Sequence, residues 1–222
     1  MTRIPLRQAV DSLKAVYGTP KPPPADPWWH ILAENVAYLS DDDRRTKAMA
    51  TLKKRVGLKP EQILAAIDDA LLDATRFGIM PESRVEKLRK CAQIALEQFD
   101  GNLETVLEWP EKKALRALQK FPGIGGPGAE KLLLFARKRA GLPLESNGLR
   151  VLVRLGFAPE GKDYSVTYRL VQTAIEPELP ADYDWLIAAH QLLRRHGQET
   201  CKNSKPACDR CPLAAQCPAR EG

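Results

Sequence analysis

Four of the chain's five cysteines lie within residues 201–217, spaced Cys201-x6-Cys208-x2-Cys211-x5-Cys217. Four soft thiolate donors in so short a stretch (CKNSKPACDRCPLAAQC) point to a metal or iron–sulfur site. The loop holds a single C-x2-C pair, whereas zinc ribbons and fingers normally use two paired knuckles separated by a longer insert. Structural zinc is one alternative and a pair of disulfides the other. Disulfides need an oxidising compartment, and nothing in the sequence points to one. The fifth cysteine, Cys91, lies on the apolar side of a helical pattern (RVEKLRKCAQIALEQF) and reads as a small buried hydrophobe.

A chain of 222 residues can bury a full core in one large or two small domains. The N-terminal MTRIPLRQAVDSLKAVYG has no uninterrupted apolar run, and no later stretch is long enough to span a bilayer. The expected location is therefore cytoplasmic, associated with the nucleoid in a bacterium. A net charge of +6 favours a polyanionic partner, with nucleic acid as the first choice.

Helical periodicity dominates and no run of alternating strands appears, so the expected fold class is all-α. Helices are predicted over residues 5–17, 27–39, 42–55, 60–74, 82–98, 110–120, 127–139, 146–155, 164–175 and 182–196. Asp41, Asp42 and Asp43 cap and charge the start of the third, and Gly57 stops it. Pro60, Pro81 and Pro110 suit first turns, where a missing N–H costs little. The segment TPKPPPADP (19–27) reads as an extended linker.

Within ALRALQKFPGIGGPGAEKLLLFARKRA, two amphipathic helices flank the turn Phe121-Pro122-Gly123-Ile124-Gly125-Gly126. Its glycines permit positive φ and close backbone approach, and Pro127 can open the second helix. N–H groups at that helix start, with the helix dipole behind them, suit an anion such as a DNA phosphate. Gly123, Gly125, Gly126 and Gly128 are the candidate contacts. A plain interhelical turn is the bland alternative.

The form hydrophobic-Pro-Gly-Ile-Gly followed by an Ala-containing helix resembles a helix-hairpin-helix element. The 6-2-5 cysteine spacing downstream resembles the [4Fe–4S] loop of the endonuclease III superfamily of DNA glycosylases. The resemblance covers most of the chain. It implies a six-helix barrel domain (28–139, hairpin at 110–139) and a discontinuous helical domain (1–27 with 140–222), the active-site cleft lying between them. It further implies a [4Fe–4S] cluster on Cys201, Cys208, Cys211 and Cys217. The implied partner is double-stranded DNA with a damaged or mismatched base, bound by a monomer. No domain after the cluster is expected, and hence no reader of oxidised guanine opposite adenine.

The resemblance also nominates chemistry. A carboxylate that stabilises the sugar cation or aims a water falls on Glu145, five residues before Arg150, where the family has Asp. Helix capping by Glu145, Ser146 and Asn147 is the competing reading. Glu34 resembles in position the general-acid Glu of adenine DNA glycosylases, with a surface Glu on an amphipathic helix as the competing reading. Apolar neighbours on its helix face, Ile31 and Tyr38, would raise its pKa. Tyr38 and Asn147 are candidate pocket residues. The family's imine-forming Lys is replaced by Pro127, and Lys131, one turn on, is off-register and expected to be solvated or phosphate-facing. A monofunctional glycosylase follows. A non-catalytic DNA-binding relative and a bifunctional lyase are the alternatives. Lys202 and Lys205, interleaved with the cysteines, give that loop a positive surface for backbone contact. Arg84, Lys87, Arg89 and Lys90 form a basic face open to the same use.

Overall fold

The structure, a computed structural model, describes residues 3–220. Among these residues there is no strand, and the fold is all-α. The helices are α1 (Leu6–Tyr17), α2 (Pro27–Val36), α3 (Asp42–Arg55), α4 (Pro60–Ala65), α5 (Asp68–Thr75), α6 (Pro81–Phe99), α7 (Glu111–Leu118), α8 (Gly126–Phe135), α9 (Ser146–Arg154), α10 (Tyr164–Ile175) and α11 (Tyr183–Glu199). Short 3₁₀ turns punctuate the cysteine segment. No helix among the described residues is long and apolar enough to cross a membrane.

Local chemistry sets the helix starts. Asp26 caps α2 by accepting from the Trp28 N–H, and Pro27 supplies the pre-set φ of the first turn. Asp41 does the same for α3 through the Arg44 N–H. Acids in the first turn of α3 (Asp42, Asp43) and bases in its last (Lys53, Lys54, Arg55) both complement the dipole. Gly57, at φ +107°, closes α3 by donating its N–H to the Leu52 carbonyl.

The chain forms two compact units. Residues 24–138 make one; the segment to Pro23 and the segment from Arg139 onward make the other. The boundaries thus fall at Pro23/Pro24 and Lys138/Arg139, four residues and one residue before the 27/28 and 139/140 positions expected from the sequence. In the first unit α2 packs on α3, α6 and α8, and buries Ile31, Leu32 and Val36 completely. In the second, α9 packs on α10 and α11, and α11 also packs on α1.

Three helices end earlier than their periodicity suggests. The segment 27–39 stops at Val36, and the chain turns through Leu39 at φ +53°. There the Tyr38 carbonyl accepts from the Ile79 N–H. The segment 60–74 is two helices, because Ala66 and Ile67 are extended. Arg89 from α6 donates to the Leu64 and Ala66 carbonyls at 2.8 and 2.7 Å and stabilises that break. The segment 127–139 stops at Phe135, followed by Arg137 at φ +57°.

Candidate active-site elements and the cysteine cavity

The turn between α7 and α8 is anchored by Phe121 and Ile124, which are 2% and 4% exposed. Gly123 sits at φ +80°, a conformation that costs glycine little. Gly125 is the N-cap of α8, and no side chain caps that helix. The N–H groups of Gly126 and Gly128 therefore belong to the first turn, which has no intrahelical acceptors. Around Gly125 and Gly126 the space is open: an added Cβ would meet nothing within 4 Å. A helix start with free donors, a favourable dipole and unobstructed access suits a phosphate oxygen.

Glu34 is half-buried on α2, but its surroundings differ from the apolar pocket expected. Its Oε1 lies 2.5 Å from the Lys131 Nζ on α8 and 3.8 Å from an Arg45 nitrogen on α3. Lys131, with 16% of its side chain exposed, is an ion-pair partner rather than a solvated residue. Neither partner was legible from local pattern, because the three residues sit on three helices. Tyr38, beyond the helix end, is not on the Glu34 face; its ring packs 4.2 Å from the Arg84 guanidinium. His30, one turn before Glu34, is held down at about pKa 4, first by burial and then by the Lys131 charge, against an opposing hydrogen bond to the Pro24 carbonyl.

Of the expected basic face on α6, Lys90 is exposed and Lys87 half-buried, while the two arginines are engaged within the fold. Arg84 is 4% exposed beneath Tyr38, Arg89 is engaged by carbonyls and by Asp68, and Lys90 meets Gln93. Close to it in the fold, exposed apolar side chains occur at Leu39 (70%), Ile79 (45%) and Met80 (61%), on two loops joined by the Ile79–Tyr38 bond. Leu39 and Met80 both adopt positive φ.

In the other unit Glu145 is the N-cap of α9. One carboxylate oxygen accepts from the Gly148 N–H and the other from the Asn147 side-chain amide, each at 2.7 Å. Asn147 in turn accepts from Arg150, which also donates to the Gly197 and Cys201 carbonyls at 2.8 and 3.0 Å. Arg150 therefore ties the carboxylate-bearing helix start to the first cysteine. Gly197 is required there, since a Cβ would lie 2.5 Å from the Asn147 carbonyl oxygen. His190 is 4% exposed and bonds the Pro143 carbonyl, a packing role.

Cys201, Cys208, Cys211 and Cys217 are all free thiols and line one cavity of about 140 Å³ with Arg154, Thr200 and neighbouring loop residues. Arg154 holds the loop by donating to the Lys202 and Asn203 carbonyls, and its guanidinium lies 3.4 Å from the Cys201 sulfur. Burial and then mutual proximity push the Cys211 and Cys217 thiols up, an effect a cation in the cavity would reverse. His196, 1% exposed, reaches the Cys211 sulfur at 3.5 Å through Nε2 and the Tyr17 hydroxyl at 3.0 Å through Nδ1. Among the described residues no three ligating side chains converge as a single-ion site. Lys202 and Lys205 are exposed on this loop. Cys91 is fully buried on α6, apart from the other four.

Free donors at a hairpin, carboxylates on α2 and α9, and four thiols around one cavity together invite comparison with known proteins. No family model matches the chain. It is 32% identical over 158 residues to endonuclease III of Rickettsia conorii, spanning 71% of the chain and 68% of that protein. Against endonuclease III of Sulfolobus acidocaldarius the identity is 28% over 188 residues, 84% and 79% of the two chains. Among solved structures, a trapped endonuclease III–DNA covalent intermediate has the same fold, with a TM-score of 0.74 at 20% identity over 97% of this chain and 95% of that one. The chain belongs to the endonuclease III family of DNA glycosylases.

Proposed function

We propose that the chain is a monofunctional base-excision-repair glycosylase. It acts as a monomer on duplex DNA, extrudes a damaged or mismatched base and hydrolyses its glycosidic bond. The observation that carries the reading is the absence of an available amine at the hairpin. Pro127 stands where an imine-forming lysine would be, and Lys131, the lysine within α8, is held by Glu34.

The α8 N-terminus, through Gly123, Gly125, Gly126 and Gly128, grips a backbone phosphate, and Lys202 and Lys205 add charge to a second backbone contact. Leu39, Ile79 and Met80 are apolar tips of the kind that fill a base stack opened by extrusion. Glu34 takes a proton from water and hands it to the departing base, while Lys131 and Arg45 hold its carboxyl group in place. Glu145, held by Gly148 and Asn147, presents fixed negative charge to the sugar cation or orients the attacking water. Tyr38 in one unit and Asn147 in the other are the candidate contacts to the extruded base. The four thiols fit a [4Fe–4S] cluster in number, donor type and shared cavity. When bound, the cluster is a structural staple that presents the basic loop, and it takes no part in bond cleavage.

A non-catalytic DNA-binding role has one observation in its favour, that both Glu145 oxygens are occupied in capping. Incubation with duplexes carrying uracil, mismatched adenine, alkylated purines or oxidised pyrimidines, followed by hot alkali, separates the two. Alkali-dependent breaks lost in Glu34→Gln support the enzyme. Intact strands on every lesion leave only the binder.

A further inference from the structure

Asn35 is a polar residue with no exposed surface, set in a helix whose neighbours Ile31, Leu32 and Val36 are also fully buried. Its Nδ2 donates twice, to the Ile31 carbonyl at 2.9 Å and to the Pro122 carbonyl at 2.8 Å in the hairpin turn. Two carbonyl acceptors fix the amide orientation, since a flipped group would set oxygen against oxygen. The Oδ1 is then sealed without a partner. It faces Gly123, where an added Cβ would approach it to 3.3 Å.

This arrangement is poorly suited to stability alone. An unpartnered buried acceptor is a cost, set here against the two bonds that the amide nitrogen makes. What the amide supplies is location, because it hydrogen-bonds the turn directly at Pro122 and abuts it at Gly123. The preceding residue, Glu34, contacts the same hairpin at Lys131 on α8. Consecutive residues of α2 thus hold the turn and the helix behind it.

We propose that Asn35 is a positioning residue that seats the hairpin turn at the height where its N–H groups reach a DNA phosphate. It sets DNA affinity from inside the core without touching DNA. This rests on the reading that the hairpin grips phosphate, so the test carries a separate control for that reading. Gly125→Asp is the control. Position 125 has an ordinary φ of −85° and open space, and Asp is a favourable N-cap, so the helix keeps its stability while a carboxylate occupies the anion site.

Binding of an undamaged fluorescent duplex is measured by anisotropy over a salt series for wild type, Asn35→Leu and Gly125→Asp, alongside circular dichroism and thermal unfolding. Asn35→Ala replaces the leucine variant if the larger side chain is not accommodated. The expected result for the Asn35 variant is a folded protein whose Kd rises about tenfold and whose salt slope falls by about 1, as on loss of one phosphate contact. A merely structural role would lower the melting temperature and leave the salt slope unchanged. Unchanged affinity and slope in a folded Asn35 variant, with weakened binding by Gly125→Asp, overturn the positioning role alone. No effect of Gly125→Asp overturns the phosphate reading itself, whatever the Asn35 variant does.

Discussion

His30 packs in α2 with 5% of its surface exposed and donates through Nε2 to the Pro24 carbonyl at 2.7 Å. Burial leads the causes that hold its pKa at about 4, against an ordinary value of 6.5, with Lys131 and Arg45 adding to the depression and Glu34 opposing it. The unfolded chain therefore binds more protons than the folded one between those two values, and folding stability rises with pH across that window. The contribution is fully present above about pH 6.5 and is lost as the pH falls toward 4. A gap of about 2.5 units corresponds to about 3 kcal/mol. His30→Gln keeps a donor for Pro24 and removes the ionisation. Guanidinium unfolding followed by tryptophan fluorescence suits the comparison, since Trp28, Trp29 and Trp109 lie in the same unit as His30. Between pH 7 and 4 the wild type should lose about 3 kcal/mol more than the variant. Equal losses in the two proteins would refute the reasoning.

Lys131→Met should reduce single-turnover base release by about tenfold or more while leaving duplex affinity within about threefold, since it removes the partner that positions Glu34 and leaves the phosphate grip intact. Arg150→Ala breaks bonds to Asn147, Gly197 and Cys201 and should destabilise the chain by about 2–4 kcal/mol in chemical unfolding. The purified protein should contain iron and absorb near about 400 nm as the proposed cluster requires, and Cys211→Ser should lose both while the far-ultraviolet dichroism stays helical.

What the sequence revealed and what it concealed divide by range. The cysteine spacing, the hairpin and the aspartate caps are short patterns whose physics is local, and Asp26, Asp41 and Gly57 act as local rules require. Fold class followed from periodicity for the same reason. The early stop of α2 was hidden because Ala37, Tyr38 and Leu39 are all compatible with a helix; it is the pairing with residues 78–79 that turns the chain there. Gly78 belongs to that contact, since a Cβ would lie 2.7 Å from the Tyr38 nitrogen. The break at Ala66–Ile67 carries neither proline nor glycine, and its orphan carbonyls are satisfied by Arg89 from another helix. At the site, Glu34 was visible as a polar residue in an apolar helix, but the cations beside it come from α3 and α8. Asn35, one position further, has the same signature of polarity in a buried face, and that signal was available.

The proposed mechanism has water, not an amine, breaking the glycosidic bond. Its most direct test is product analysis under single turnover on the best substrate of a lesion panel, with and without borohydride. The prediction is free base and an unbroken strand that parts only in alkali, with no covalent protein–DNA adduct. Strand breakage without alkali, accompanied by an adduct that borohydride traps and Lys131→Met abolishes, would contradict it.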